Sequence, residues 1–301
     1  MKNILIAGGT GFIGRYIRDK LKEQGFQISI LARSKVQNTK CKYYVWDPEK
    51  GMIDKESLQN QHVIINLAGA GIADKLWTKK RREIILQSRI ESTKLLIDSL
   101  KELNKYPNLF INASAIGFYG HRPGEILTEK SLKGSGFLSR VCYEWEKALT
   151  PLTKLNIPYA IIRLGIVLGR GGGSLLKLLF PLQHRINVIF GSGKQCVPWI
   201  HIEDVFQIVS QLTEGKLLPG IYNGVAPDYV SQAQLNRTIL KYLYKKPITI
   251  RISSGFLSSL IGEMASVFIS EQQIKPLRLI EQKFRFNHPL LEDAMKDLLT
   301  N

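Results

Sequence analysis

Residues 3–7 are apolar, the run stops at Gly8-Gly9-Thr10-Gly11, and Phe12, Ile13, Ile17 and Leu21 then recur at the spacing of one helical face. This pattern predicts a strand, a tight turn and a helix over 12–24. Gly25 closes that helix, and 27–32, with Ile28, Ile30 and Leu31, predicts a second strand. Further strand-like runs lie at 43–46, 62–67, 109–114 and 159–164, and helical patterns cover 79–103 and 137–149. Strands alternating with helices predict an α/β fold of Rossmann type, a doubly wound parallel sheet with right-handed crossovers.

The character changes after Gly169. Gly171-Gly172-Gly173 reads as a flexible joint. Beyond it, short strands are predicted at 188–190, 197–200, 221–223 and 247–252, and helices at 203–213, 231–244, 254–267 and 290–299. The expected division is a sheet domain over 1–170, with parts of 185–225 available to complete its sheet, and a smaller α/β lobe over 171–301. The lobe is expected to cover the C-terminal edge of the sheet, where ligands bind in such folds.

The spacing Gly9-x-Gly11-x-x-Gly14, with Gly8 in front, stands directly after a strand and opens a helix, the context a dinucleotide-binding turn requires. The first glycine permits the turn, Gly11 lets main-chain N–H groups approach a pyrophosphate at the helix N-terminus, and Gly14 lets helix and strand pack closely. About twenty residues on, an NAD site usually places a carboxylate for the ribose 2′-hydroxyl. Here the second strand ends in Leu31-Ala32-Arg33-Ser34. A guanidinium beside a serine suits a 2′-phosphate, so NADP(H) is expected in preference to NAD(H).

Composition narrows the partners. A net charge of +17 would point to nucleic acid if it were concentrated, but residues 1–150 carry 25 basic and 15 acidic groups and residues 151–301 carry 17 and 10. The excess is spread evenly, and the dense run Lys79-Lys80-Arg81-Arg82 fits a solvated helical face, so a small-molecule partner and no nucleic acid is the expectation. Cys41, Cys142 and Cys196 are widely spaced and outline neither a disulfide framework nor a zinc site, and the histidines show no His-Glu-x-x-His spacing. No metal is expected. With no apolar run of about 18 residues and no apolar leader before a cleavage site, a cytoplasmic protein without a membrane span is expected. The oligomeric state is not legible.

The motifs also carry a likeness. Gly8-Gly9-Thr10-Gly11-Phe12-Ile13-Gly14, Asn66-Leu67-Ala68-Gly69, Trp199-Ile200-His201-Ile202-Glu203-Asp204 and Gly220-Ile221-Tyr222-Asn223 resemble the extended short-chain dehydrogenase/reductase superfamily of nucleotide-sugar epimerase type. Residues 73–78, Ser88-Arg89, 163–169 and 191–195 are similar to its atypical, YfcH-type epimerase-family proteins. Gly262-Glu263, Pro276 and Phe284-Arg285-Phe286 resemble the small domain of unknown function that closes those proteins, about 247–297 here; Lys283 departs from the glycine usual before the first phenylalanine. The resemblance implies an NAD(P)-binding oxidoreductase or epimerase acting on a nucleotide sugar or small carbonyl compound. It also implies that Leu67, Ala68 and Gly69, Arg89, and Val167 contact the cofactor.

Superfamily chemistry uses Tyr-x-x-x-Lys on a helix with a serine or threonine ending the preceding strand, the ammonium favouring tyrosinate. Tyr143 and Lys147 fit that spacing and Ser114 ends the strand, giving Ser114, Tyr143 and Lys147 as catalytic candidates. The same spacing recurs at Tyr16 to Lys20 and Tyr242 to Lys246. The local signature of the atypical proteins is instead Cys-x-x-Trp-Glu, here Cys142, Trp145 and Glu146. Neighbouring helical residues point about 100° apart, so the helix presents either Tyr143 and Lys147 or Cys142 and Glu146 to the cleft. Lys75, Tyr119, Gln195, Trp199 and His201 are the substrate-side candidates, Trp199 and His201 serving equally well as braces. The alternative to an enzyme is an NADP(H)-binding sensor or scaffold without catalysis.

Overall fold

The structure is a computed structural model that describes residues 2–34, 41–243 and 246–300. In chain order the first elements are β1 (Asn3–Ala7), α1 (Phe12–Glu23), β2 (Gln27–Ala32), β3 (Lys42–Asp47), β4 (Met52–Ile53), β5 (Val63–Asn66), α2 (Lys79–Leu103) and β6 (Leu109–Ala115). Next come β7 (Arg122–Leu127), α3 (Phe137–Lys147), α4 (Thr150–Lys154), β8 (Tyr159–Leu164), β9 (Ile166–Leu168), α5 (Gly173–Gln183), β10 (Ile186–Phe190), β11 (Trp199–His201), α6 (Ile202–Glu214) and β12 (Ile221–Gly224). The chain ends with α7 (Gln232–Leu243), β13 (Ile248–Ile252), α8 (Ser254–Ile261), α9 (Ser266–Ile269), β14 (Gln272–Ile274), α10 (Leu277–Glu281) and α11 (Leu291–Thr300).

An eight-stranded sheet has the order β12-β8-β6-β5-β1-β2-β3-β4, with β1 paired in parallel to both β2 and β5, and the short β4 turned antiparallel on β3. The fold is α/β and Rossmann-like. The central strands are buried along almost their whole length, as expected of parallel strands covered on both faces, which is why they read as continuous apolar runs. Chain direction across the sheet reverses at β1, since β2 lies on one side and β5 on the other. Ligands of open α/β sheets bind beyond the carboxyl ends of the strands at such a reversal.

The chain divides into two compact units. Unit 1 comprises Met1–Ser114, Val141–Ile162 and Phe206–Ile221, and unit 2 comprises Ala115–Arg140, Arg163–Val205 and Tyr222–Asn301. The core of unit 1 joins Leu5, Leu31, Ile64 and Phe110 of the strands to Leu96, Ile97 and Leu100 of α2 and to Leu149, Leu152 and Ile157. That of unit 2 gathers Leu168, Leu175, Leu179 and Trp199 with Leu235 and Ile239 of α7 and Ala294, Met295 and Leu298 of α11. Residues at i, i+3, i+4 and i+7 of α11 thus share one buried face.

Several elements correct the sequence expectations. Gly171-Gly172-Gly173 leads straight into α5 rather than forming a free joint. The helix expected over 254–267 stops at Gly262, which caps α8, and resumes as a 3-10 turn and the short α9. The parallel pair of β7 with β14 was not anticipated, because Pro123 and Gly124 disguise β7 and its partner stands some 150 residues away in the chain.

Candidate functional site

In unit 1 the turn after β1 is built around two close approaches. Gly8 has φ +80, and a Cβ there would stand 2.8 Å from the Leu67 carbonyl carbon and oxygen; a Cβ on Gly14 would stand 2.2 Å from the Gly8 carbonyl oxygen. Neither position accepts a side chain without moving main chain. The Gly11 N–H donates to the Gly8 carbonyl oxygen at 3.0 Å, closing the turn, and Gly11 is the N-cap of α1 in an extended conformation. No side chain caps this helix and its first turn has no acidic residue, so its first N–H groups have no side-chain acceptor, an arrangement of the kind that suits an anion. Gly9 is buried, while Thr10 and Gly11 are exposed.

The neighbouring strands bring the other expected residues to the same end of the sheet. Ala7 pairs with Leu31 and with Asn66, so Arg33 and Ser34 follow β2 on one side of the glycine turn, and Leu67, Ala68 and Gly69 follow β5 on the other. Arg33 and Ser34 are exposed; Lys35 lies outside the described residues. Arg33 makes no ion pair among the described residues.

The loop after β5 is held by a polar network that sequence reasoning missed. Buried Asn66 donates through Nδ2 to Asn112 Oδ1 at 2.8 Å and to Thr93 Oγ1 at 3.0 Å, while its Oδ1 accepts from the Ala68 N–H at 3.2 Å. Thr93 donates to the Arg89 carbonyl oxygen at 2.8 Å and accepts from Trp145 Nε1 at 3.1 Å. Ser88 Oγ accepts from the Ala70 N–H at 3.0 Å. Arg89 itself lies against the main chain of Gly69, donates to the Ile85 carbonyl oxygen at 2.8 Å and sits 5.2 Å from the Trp145 ring centroid. Burial pushes its pKa down to about 10, so it stays a cation at neutral pH. The only signal in the chain for this network was Asn66 standing next to Leu67-Ala68-Gly69.

Of the three acid–base candidates, Ser114 is bonded to Glu146, and Tyr143 and Lys147 are exposed on α3. Ser114, at the end of β6, is buried, and its Oγ donates to Glu146 Oε1 at 2.7 Å. That bond sets the rotation of α3: Glu146 and, one turn earlier, buried Cys142 face the strand, whereas Tyr143 and Lys147 share the exposed face.

The substrate-side candidates are mostly spent on internal contacts. Lys75 is exposed in unit 1. In unit 2 Tyr119 is fully buried; its hydroxyl accepts from Arg163 at 2.9 Å and donates to Asn223 Oδ1 at 2.6 Å, with the Arg163 guanidinium 3.5 Å over the Phe118 ring. Burial raises the Tyr119 pKa, against the pull of Arg163. Gln195 Nε2 donates to the carbonyl oxygens of Phe190 and Phe268 at 3.0 and 3.1 Å, and Trp199 is fully enclosed in the core. Val167 is buried on β9, paired with Ile200. His201 is buried at the β11–α6 junction, where its Nδ1 accepts from the Glu203 N–H at 3.2 Å. No helix among the described residues is long and apolar enough to cross a membrane.

Comparison with known proteins agrees with this geometry. Residues 4–223 match the profile of the NAD dependent epimerase/dehydratase family, and residues 254–298 match a domain of unknown function, DUF1731. Epimerase family protein SAR0825 of Staphylococcus aureus (strain MRSA252) is 33% identical over 303 residues, covering 100% of both chains. Epimerase family protein YfhF of Bacillus subtilis (strain 168) is 32% identical over 302 residues, covering 99% of this chain and 98% of that one. Among solved structures, human epimerase family protein SDR39U1 (isoform2), determined with NADPH, superposes with a TM-score of 0.86 at 26% identity over 99% of each chain.

Proposed function

Because this chain belongs to the NAD dependent epimerase/dehydratase family, we propose that it binds NADP(H) in preference to NAD(H) and uses it as an oxidoreductase or epimerase on a small carbonyl compound or nucleotide sugar. The observation that carries the cofactor reading is the uncapped N-terminus of α1 behind Gly8, Gly11 and Gly14, with exposed Arg33 and Ser34 at the end of β2. Pyrophosphate lies on the helix N-terminus, and the 2′-phosphate takes the guanidinium. Leu67, Ala68 and Gly69 flank the turn from the β5 side, Arg89 lies against that loop, and Lys75 is kept as a substrate-side candidate. The human relative solved with NADPH supports this choice of cofactor. Titrating NADPH and NADH into the protein by nucleotide fluorescence tests it. NADPH binding tighter than NADH is the expected result, and failure of both to bind below about 1 mM, an affinity of roughly −4 kcal/mol, overturns it.

A second reading is favoured by one observation. Ser114 is bonded to Glu146 while Tyr143 and Lys147 face outward on α3, an arrangement suited to a dinucleotide-binding sensor or scaffold without hydride transfer. In the enzyme reading Tyr143 exchanges the proton with Lys147 favouring tyrosinate, and Ser114 would first have to give up its bond to Glu146 to orient a carbonyl. NADPH turnover across a carbonyl and nucleotide-sugar panel, abolished in Tyr143→Phe with NADPH binding retained, supports the enzyme. Tight NADPH binding with no turnover supports the sensor.

A further inference from the structure

A cluster in unit 2 takes no part in the dinucleotide site. The β11–α6 junction supplies His201 and Glu203, the segment before α11 supplies His288, and one potential ligand atom from each lies within 4.8 Å of the others. Asp297 on α11 adds a second carboxylate. His288 Nε2 stands 3.4 Å from Glu203 Oε2, and His201 Nε2 stands 3.4 Å from Asp297 Oδ2. The two imidazole rings lie 3.8 Å apart, tilted by 40°.

These separations are informative. A good imidazole–carboxylate hydrogen bond is about 2.8 Å long, whereas two ligands on one tetrahedral zinc ion, each bonded at about 2.0–2.2 Å, stand roughly 3.4 Å apart. His201 is 3% exposed, and its Nε2 meets the Asp297 carboxylate only at 3.4 Å, in a geometry too poor for a good hydrogen bond, so this buried polar atom is incompletely satisfied. Glu203 and Asp297 are each partly exposed and free to adjust, and leave the cluster open to an entering ion. The surrounding charge also fits. The carboxylates of Glu203, Asp297 and Asp204, the last accepting from the Asn287 and His288 N–H groups at 2.6 and 3.1 Å, stand beside the guanidinium of Arg170, which donates to the Asp297 carbonyl oxygen.

We infer that His201, His288 and Glu203 form a binding site for a zinc-type divalent cation that ties the β11–α6 junction to the segment before α11, with Asp297 on that helix as the adjoining carboxylate. Mixed imidazole and carboxylate ligands select zinc-like ions over magnesium or calcium, which require mostly oxygen. The His201 tautomer reports loading. With Nδ1 accepting from the Glu203 N–H, the ring proton sits on Nε2; coordination through Nε2 moves that proton to Nδ1 and opens the 3.2 Å contact. Sequence reasoning expected no metal because the ligands are two residues apart at one point and 85 residues away at the other.

The test uses the full chain after chelator treatment and dialysis. Cobalt chloride serves as the visible probe and zinc chloride as its competitor, with histidine ¹⁵N spectra recorded in parallel. The expected result is a tetrahedral cobalt band displaced by one equivalent of zinc and not by millimolar magnesium, with the His201 proton moving from Nε2 to Nδ1. His288→Ala and Asp297→Asn should each weaken zinc binding about a hundredfold or more, at least the loss seen when a supporting residue of a metal site is removed. Asp297→Asn, at an exposed position, keeps the test valid where His288→Ala disturbs folding. No cobalt band, a band unchanged in both variants, or a His201 tautomer that ignores zinc overturns the site.

Discussion

Individual residues at the glycine turn have separable roles. Gly14→Ala drives a methyl group into the Gly8 carbonyl oxygen, which has nowhere to retreat because Gly8 is itself packed on Leu67. Overpacking of this kind costs about 1–3 kcal/mol. Urea unfolding should show that loss, and NADPH binding should fall with it because the turn and the helix N-terminus shift together. Unchanged stability would mean the turn is looser than its contacts imply. Gly11 differs: its backbone is extended, it approaches no side chain, and its value lies in leaving the end of α1 open. A substitution there should spare stability more than it spares cofactor binding.

At the scale of elements, the strand–turn–helix at the N-terminus and the span of α2 were legible because their signals are local: an apolar run, glycines at fixed spacing, and a helical face closed by Asn104. The rotation of α3 was not. Tyr143/Lys147 and Cys142/Glu146 obey the same four-residue spacing, and only the bond from Ser114, more than thirty residues earlier, selects between them. The β7–β14 pairing and the His201–His288 approach were hidden for the same reason, since each joins distant segments. The Asn66 network makes a prediction at this scale. Asn66→Ala strands Thr93 and Asn112 and frees the Ala68 N–H, so it should cost about 1–3 kcal/mol. Faster hydrogen exchange at Ala68 and Ala70, measured by NMR, should accompany the loss; protection equal to wild type would assign the loop's order to Ser88 and Arg89 instead.

For the whole molecule, the +17 charge matters less as a total than in where its cations stand, with Arg33 at the end of β2 and Arg15 donating to the Thr10 carbonyl oxygen of the glycine turn. A ligand that binds only the folded chain stabilises it by about 2.7 kcal/mol at a hundred times its dissociation constant. NADPH should therefore raise the thermal midpoint more than NADH at equal concentration, and a scan with each nucleotide checks this; equal shifts would remove the preference. The most direct measurement is the dissociation constant of each nucleotide for wild type and Arg33→Ala, by fluorescence titration at fixed salt. A guanidinium holding the 2′-phosphate should make NADPH binding weaker by about 1.5–3 kcal/mol in the variant, from tenfold to more than a hundredfold, with NADH almost unchanged. Equal weakening of both nucleotides, or of neither, would contradict the assignment of the 2′-phosphate to Arg33.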